Sequence, residues 1–253
     1  MSRRASVFPQ NDQAASPLFC GTSGWAYPTW KPEFYPADVS SKNFLRYYAS
    51  QLNSLEVNYT FTKALSAKQT EDWLAATSSG FRFSFKAPQR ITNWQRLRDC
   101  ADSVAEFFAT LQPFANANKL GCVLFQLPHN FKPNHELLAG FLSLPEFQSH
   151  TSAFEFLHAD WFSEETYSLL RQHNVALCQS DSEKLTAPQV DTATHRYRRL
   201  RQPGGYSAAT LDKLAKELAA ATQESYVYLR HEEAPTGALQ ARTLLQAVLQ
   251  EAA

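Results

Sequence analysis

Charged and amide side chains stand at or near the C-terminal end of nearly every strand that the sequence predicts. Burying a charged group on a strand costs free energy unless the group is paired or faces a solvent-filled site. Such a group at the end of strand after strand therefore indicates a shared polar site at one edge of a sheet. The candidates are Glu56, Asn58, Lys86, Gln126, Glu155, Asp181, Arg199, Arg201 and Arg230.

Four of these residues, Glu56, Lys86, Glu155 and Asp181, form the predicted catalytic centre. The carboxylates could act as general acid and base, because burial and neighbouring charges can tune them for that work. They could also hold a divalent cation through oxygen ligands. Histidines at helpful spacing are missing, so no metal ligand is assigned and the cofactor stays open. The alternative is a buried ion-pair network of these carboxylates with Lys86, Arg199 and Arg230 that only fills the interior.

Lys86 has several interpretations of its own. It could form a Schiff base, bind a phosphate or orient a substrate carboxylate. It could instead be the structural partner of Glu56 or Glu155. We favour anion binding, because the three arginines of the last two strands could converge on the same edge, and arginine forks suit phosphate or carboxylate.

Five further residues complete the predicted ligand-binding set. Asn58 and Gln126 follow their strands with amide groups. His158 could be a general acid or base, but a lone histidine is more often structural. Trp25 and Tyr27 could stack on a base or a sugar, whereas such residues more often plug one end of a domain or pack a loop.

The strand candidates alternate with helix candidates along the chain. Apolar residues recur at helical spacing between the strands, and Ser66 with Gln69 makes a capping box. Eight such units without an internal linker predict one (β/α)8 barrel of the TIM type, irregular at unit six, where 183–191 is too short for more than a helical turn. The predicted strands span 18–22, 55–58, 81–86, 122–126, 152–156, 175–180, 195–200 and 226–229.

Alternation within the strands predicts which side chains face the interior. Residues two apart share a face of a strand. Phe81, Phe83 and Phe85 must then meet the surrounding helices, which leaves Lys86 inside. The same argument places Glu56, Asn58 and Glu155 inside. Strand seven breaks this pattern, because basic residues occupy both of its faces.

The bulk properties exclude some classes of protein. The chain has 253 residues, of which 44% are hydrophobic, and its formal net charge is zero. A net charge of zero does not support binding of nucleic acid through overall positive charge. A local basic patch remains compatible with nucleic acid. No window approaches the roughly 20 apolar residues of a membrane span.

The four cysteines make no Cys-x-x-Cys pair and are expected to be reduced core residues, which favours the cytoplasm. Residues 1–17 are expected to be a disordered arm, and 18–253 one domain.

Several motifs in order carry a family resemblance. They are GTSGW (21–25), EVNYTF (56–61), FRFSFKAP (81–88), LFQLP (124–128), FEF (154–156) with His158 and Trp161, and then Asp181. Together they make the chain resemble the DUF72, or YecE-like, family of uncharacterised barrel proteins over nearly its whole length. The resemblance implies a TIM-type barrel and no established reaction. A distant likeness of that family to divalent-metal barrels such as endonuclease IV and xylose isomerase suggests DNA binding or phosphoester chemistry by fold analogy alone.

This chain departs from the family pattern at three places. Leu157 stands where the family usually has Arg in Glu-x-Arg-His. Arg201 and Gln202 replace the His-Gly of an Arg-x-His-Gly pattern, and Arg230 and His231 replace an Asn pair after the last strand. If those positions carry chemistry in the family, this member has altered or lost it.

The sequence thus predicts a barrel protein that is an enzyme, or derives from one, acting on a small anionic or phosphate-bearing ligand at the C-terminal mouth. The alternatives are a nucleic-acid-binding protein without catalysis and a barrel that has lost its chemistry. A broad basic rim with exposed aromatics would favour nucleic acid, and a deep pocket would favour a small ligand.

Overall fold

The computed structural model describes residues 18–182 and 184–251. Within them, eight parallel strands pair in the order β1-β8-β7-β6-β5-β4-β3-β2 and form a nearly closed barrel, which confirms the predicted TIM-type fold. The arm predicted for residues 1–17 lies outside the described residues. The strands are β1 (Leu18–Thr22), β2 (Ser54–Val57), β3 (Arg82–Lys86), β4 (Leu120–Leu127), β5 (Ser152–Phe156), β6 (Ala176–Ser180), β7 (His195–Leu200) and β8 (Glu224–Leu229).

Helices surround the barrel, and local sequence signals start several of them. The side chains of Ser66, Asn134 and Ser207 each accept a backbone N–H of the first turn, as N-caps do. None of the described helices is both long enough and apolar enough to cross a membrane. The α-helices of the described residues are α1 (Phe44–Tyr48), α2 (Ala67–Ala76), α3 (Ala101–Asn116), α4 (His135–Leu142), α5 (Glu146–Ser149), α6 (Glu164–Gln172), α7 (Ala208–Ala219) and α8 (Thr236–Glu251).

Strand alternation places the side chains as the sequence predicts. The rings of Phe83 and Phe85 face outward and pack on Phe114 of α3, with centroids 5.1 and 4.9 Å apart. Ser84 faces the interior, where Tyr228 of β8 donates a hydrogen bond to its hydroxyl at 2.7 Å. The polar ends of the strands therefore point into the barrel.

Strand β7, which breaks the sequence pattern, carries basic side chains on both faces for separate reasons. Arg199 faces the interior. Arg196 and Arg198 point outward, where Asp191 of the preceding loop and Glu217 of α7 neutralise them. Its outer face is thus a set of ion pairs with neighbouring acids, which alternation within one strand cannot reveal.

The connection between β6 and β7 is the irregular unit that the sequence predicts. Its described residues form no helix, and Asp181 makes an antiparallel bridge with Thr186. The Thr192 hydroxyl then bonds the backbone in and just before β6. It accepts from Leu177 N at 2.7 Å and donates to Val175 O at 2.7 Å. This linker therefore packs along the barrel without a covering helix.

An asparagine helps to close the barrel between its first two strands, which have no backbone ladder in the described sheet. Asn53 lies just before β2. Its Oδ1 accepts from Cys20 N at 2.8 Å, and its Nδ2 donates to Leu18 O at 2.8 Å. One amide thus satisfies two backbone groups of β1 that would otherwise lack partners.

The hydroxyl of Tyr48 bridges the same seam. It accepts from Thr22 N at 2.8 Å and donates to Ser54 O at 3.0 Å. Gly21 permits this approach, because a Cβ at that position would lie 1.9 Å from Ser54 O. The glycine and the tyrosine together bring the end of β1 beside β2.

Candidate functional site at the mouth of the barrel

A cavity of ≈ 620 Å³ opens at the C-terminal ends of the strands, and we call it the mouth. In barrels of this type the C-terminal face carries the active site. Basic side chains dominate the lining, against a single carboxylate. The lining residues are Asn58, Phe61, Lys86, Gln126, Glu155, Leu157, Ser180, Ser182, Lys184, Arg199, Arg201, Arg230 and His231.

Arg199 joins two carboxylates at the floor of the mouth. Its Nη2 donates to Glu56 Oε1 at 2.8 Å and its Nη1 donates to Glu155 Oε2 at 2.6 Å. All three side chains are buried. Burial disfavours a charged guanidinium, but the two carboxylates outweigh this and raise the pKa of Arg199 well above its usual range. An ion-pair network therefore exists on the floor with Arg199 at its centre. Of the other cations expected in it, Lys86 has no ion pair among the described residues and Arg230 pairs with Glu232 instead.

Glu56 collects four donors. Besides Arg199, Tyr197 donates to its Oε2 at 2.6 Å, and Arg201 and Asn58 donate to its Oε1 at 3.2 and 3.3 Å. Burial alone would raise the pKa of Glu56, but the charges of Arg199 and Arg201 and the tyrosine hydrogen bond lower it to about 2. Glu56 is an anion at any physiological pH, so it is a poor general acid.

Glu155 has a similar environment. Gln126 donates to its Oε2 at 2.6 Å, the same oxygen that Arg199 holds. Burial would raise the pKa of Glu155, yet Arg199 and Arg201 shift it below the usual value. Both carboxylates therefore act as fixed negative charges that compensate the arginines.

Lys86 differs from the other charged groups of the floor. Its Nζ donates to the neutral Gln126 Oε1 at 2.7 Å and lies 4.0 Å from the ring centroid of Phe61. No carboxylate of the described residues forms an ion pair with it, because Arg199 already bridges Glu56 and Glu155. Burial and then the charge of Arg199 lower the pKa of Lys86 to about 8. The structural partnership with Glu56 or Glu155 weighed from the sequence is therefore absent.

A serine–histidine pair lies beside Arg201, and neither residue is predicted from the sequence as part of the site. Arg201 Nη1 donates to Ser23 Oγ at 2.6 Å. Ser23 Oγ lies 2.9 Å from His231 Nδ1 and 3.4 Å from Leu229 O, so its proton favours the histidine. Burial and the charge of Arg201 lower the pKa of His231, which favours the neutral ring. With Nδ1 accepting, Nε2–H is the donor left for a ligand.

Other residues that line the mouth are also not predicted from the sequence. Phe61 lies beyond β2, and Ser180, Ser182 and Lys184 come from the end of β6 and its linker. His231 did have a signal, since it follows the last strand by two residues, as Arg201 follows β7 by one. Ser23, directly after β1, had the same signal.

Five residues predicted from the sequence do not line the mouth. Glu56 is one of them, because it is fully buried against Arg199. Asp181 Oδ1 accepts from Arg201 N and its Oδ2 accepts from Tyr206 OH, both at 2.6 Å, so it fixes the loop after β7. His158 caps a short turn through Asp160 N. Trp25 packs edge-on against Trp73, and Tyr27 stacks on the ring of His231. The last contact connects Tyr27 to the mouth only through the histidine.

The predicted interior carboxylates do not form an obvious cation site. Across residues 18–182 and 184–251, no three His, Cys, Asp or Glu side chains are grouped so that they could hold a metal ion. Arg199 sits between Glu56 and Glu155, and a divalent cation bound to both would have to displace the guanidinium. The donor set present therefore fits a guanidinium better than a metal.

The family model described as "Protein of unknown function DUF72" matches residues 19–253. UPF0759 protein YunF of Bacillus subtilis is 31% identical over 61% of this chain and 57% of its own length. UPF0759 protein YecE of Escherichia coli K12 is 31% identical over 46% of this chain and 39% of its own length. The matches thus span about half the length of these relatives.

Solved structures show the same fold. A DUF72 family protein from Thermotoga maritima superimposes with a TM-score of 0.78 and 25% identity, covering 90% of this chain and 98% of that one. A DUF72 family protein from Enterococcus faecalis gives a TM-score of 0.72 at 16% identity, covering 92% of this chain and 95% of the other.

Proposed function

The chain belongs to the DUF72 family of proteins of unknown function, and we propose that its mouth binds a small anion, a phosphate ester or a carboxylate, as the substrate of an enzyme. The observation that carries this proposal is the state of Lys86. It is a cation on the floor of a cavity, held by a neutral amide, with no carboxylate partner among the described residues.

A count of charges supports the same conclusion. Glu56 and Glu155 contribute two negative charges to the floor, and Arg199 and Arg201 contribute two positive charges through direct ion pairs, so these four cancel. Lys86 then leaves an excess of positive charge. An anion from solution would compensate a half-buried ammonium that its own protein does not.

The rim and the size of the mouth fit a small ligand. Lys184 and Arg230 line it together with the amide of Asn58, whose buried Oδ1 has no hydrogen-bond partner. A volume of ≈ 620 Å³ lies within the range of small-molecule sites, about 300–1,000 Å³. A charged group would sit on Lys86 and the rim cations, and polar groups of the ligand on the amides, Ser180 and His231.

Thermal unfolding with inorganic phosphate and pyrophosphate as probes tests the proposal. A ligand at about 100 times its dissociation constant stabilises the folded state by about 2.7 kcal/mol. For a domain of this size that raises the midpoint by about 5 °C. Lys86→Met keeps the aliphatic stem and removes the charge, which should weaken binding about 10- to 150-fold, corresponding to about 1.5–3 kcal/mol.

Lys68→Met is the matched control, because Lys68 is 81% exposed and pairs only with Asp72 on the surface of α2. It should bind the probes as the unchanged protein does. Circular dichroism would check that both variants fold. No shift of the midpoint with either probe, or equal shifts in the Lys86→Met and Lys68→Met proteins, would contradict an anion site at Lys86.

One observation favours a second candidate, a single-stranded nucleic acid. Trp94 is 69% exposed in a groove of ≈ 200 Å³ that shares Phe61 with the mouth and includes Lys63 and Arg90. Exposed aromatics beside basic groups suit stacked bases. Fluorescence anisotropy with a labelled oligothymidine separates the candidates: salt-sensitive binding that Trp94→Ala abolishes supports this one, and no binding at low salt removes it.

A further inference from the structure

We propose that Lys86 forms an imine with a small aldehyde or ketone that carries a phosphate or a carboxylate, bound in the mouth. This inference rests on the proposed anion site and adds the reaction that the site would perform. It starts from where the amine lies and what surrounds it.

The Lys86 ammonium keeps N–H donors free on the side that faces the cavity. An ammonium has three N–H donors, and one of them is used by Gln126 Oε1 at 2.7 Å. Phe61 covers another side at 4.0 Å from its ring centroid. Lys86 lines the mouth, so its remaining side is open to a bound molecule. No carboxylate of the described residues holds the nitrogen as a permanent ion pair.

Burial is the main reason why Lys86 favours the neutral amine that carbonyl addition requires. Arg199 and Arg201 disfavour a further cation, and Glu155 and Glu56 act in the opposite direction but are already bridged by arginine. Together with burial, these groups bring the pKa of Lys86 to about 8. A lysine of ordinary pKa is almost wholly protonated near pH 7.5, whereas Lys86 carries a substantial share of neutral amine there. The other charged or titratable groups of the described lining are Lys184, Arg230 and His231.

The reaction is balanced without an oxidant or a reductant. The neutral amine attacks the carbonyl carbon, the C–N bond forms, and the oxygen takes the proton that the nitrogen loses, giving a carbinolamine. The hydroxyl then leaves as water, with a proton from solvent, as the C=N bond forms. Overall, an ammonium and a carbonyl compound give a protonated imine and one water.

The same surroundings define the class of substrate. The protonated imine stays a cation, so it keeps the attraction of Glu155 and of the ligand's own anionic group. Lys184 and Arg230 at the rim would hold that phosphate or carboxylate while the carbonyl reaches Lys86. A 2-oxo acid or a phosphorylated aldehyde has both groups within a few bonds of each other.

Pyridoxal 5′-phosphate is a suitable probe, because it carries an aldehyde and a phosphate on one small ring. The full chain would be incubated with it, reduced with borohydride and digested, and each lysine's adduct quantified by mass spectrometry. Near pH 7.5 we expect about tenfold or more adduct at Lys86 than at the exposed Lys68, with a half-maximal initial rate near pH 8. Reductive trapping of pyruvate with cyanoborohydride should label the same residue.

Inorganic pyrophosphate separates the two proposals. If it slows labelling of Lys86 but not of Lys68, both the anion site and the imine are supported. If pyrophosphate stabilises the protein but Lys86 is labelled no faster than Lys68, or Lys184 is labelled instead, the imine is overturned and the anion site stands. If pyrophosphate has no effect and Lys86 is not labelled, both are wrong. Because the adducts are mapped on the unchanged protein, no variant has to fold.

Discussion

Replacing Arg199 with Met should destabilise the protein strongly and in a pH-dependent way. The substitution leaves Glu56 and Glu155 buried without the cation that bridges them at 2.8 and 2.6 Å. Breaking a buried ion pair by removing one partner costs about 3–5 kcal/mol. At about 2 °C per kcal/mol for a domain of this size, the thermal midpoint should fall by about 6–10 °C near neutral pH.

The pKa of Glu56 gives an independent figure of the same size. Its pKa is held at about 2 against an ordinary value of 4.5, although burial alone would raise it. That difference corresponds to about 3 kcal/mol of stability, in which Arg199 has the largest favourable share. Because the folded pKa is depressed, this stability is fully present above about pH 4.5 and is lost as the pH falls toward 2.

In the Arg199→Met protein the sign should reverse at Glu155, because burial then raises its pKa. Glu56 keeps Arg201 and Tyr197 as donors, so its pKa should rise less. Protonation of Glu155 then stabilises the folded variant as the pH falls. The difference in free energy of unfolding between the unchanged protein and the Arg199→Met protein should therefore be large at neutral pH and small near pH 4. Urea unfolding at several pH values measures this difference directly.

Arg196→Met is the matched control, since Arg196 lies on the same strand but pairs with Asp191 on the outside. A pair that solvent reaches contributes at most about 1 kcal/mol. Adding Glu155→Gln to the Arg199→Met protein should recover part of the loss, because one buried charge disappears. If Arg199→Met and Arg196→Met cost equal stability, or if the difference does not change with pH, Arg199 does not stabilise the fold through the buried carboxylates.

Three other predictions concern the barrel itself. Gly21→Ala should prevent or severely weaken folding, because the new Cβ would lie 1.9 Å from Ser54 O, whereas Gly80→Ala meets nothing within 4 Å; soluble yield and thermal midpoint compare them. Tyr48→Phe should lower the free energy of unfolding in urea by about 1–3 kcal/mol, because Thr22 N loses a buried partner at the seam. An unchanged free energy would show that the tyrosine hydroxyl does not help to close the barrel. Thiol titration should find no reactive cysteine in the native protein and four after denaturation without reductant, since all four are buried and free; a crosslink would contradict this. They are Cys20, Cys100, Cys122 and Cys178.

Much of the fold was predictable because its signals are local. The period of two in β3 and the N-caps of α2, α4 and α7 are set by residues close together in the chain. The strand bounds differ by one or two residues, as for β2, which ends at Val57 because Asn58 has already turned into a helical conformation. Closure of the seam by Asn53 and Tyr48 was not predictable, because it depends on contacts between separate elements.

The candidate site was predictable in part, for a related reason. Alternation shows that Glu56, Lys86 and Glu155 point inward, but not which charge meets which. Arg199 is 143 residues from Glu56 along the chain and reaches it only through the curvature of the barrel. Asp181 follows its strand as the others do, yet its carboxylate is used by the backbone of Arg201. Position at a strand end indicates the correct edge of the sheet without fixing a side chain's partner.

A crystal structure with pyrophosphate, from crystals grown without sulfate or phosphate, would show whether the mouth binds an anion at Lys86. We expect electron density for the anion in the mouth, with an oxygen within hydrogen-bond distance of Lys86 Nζ and further contacts to Arg230 or Lys184, while Arg199 still bridges Glu56 and Glu155. Density for water alone at Lys86, with pyrophosphate at saturating concentration, would contradict this expectation. So would an anion that binds elsewhere on the protein and leaves the mouth empty.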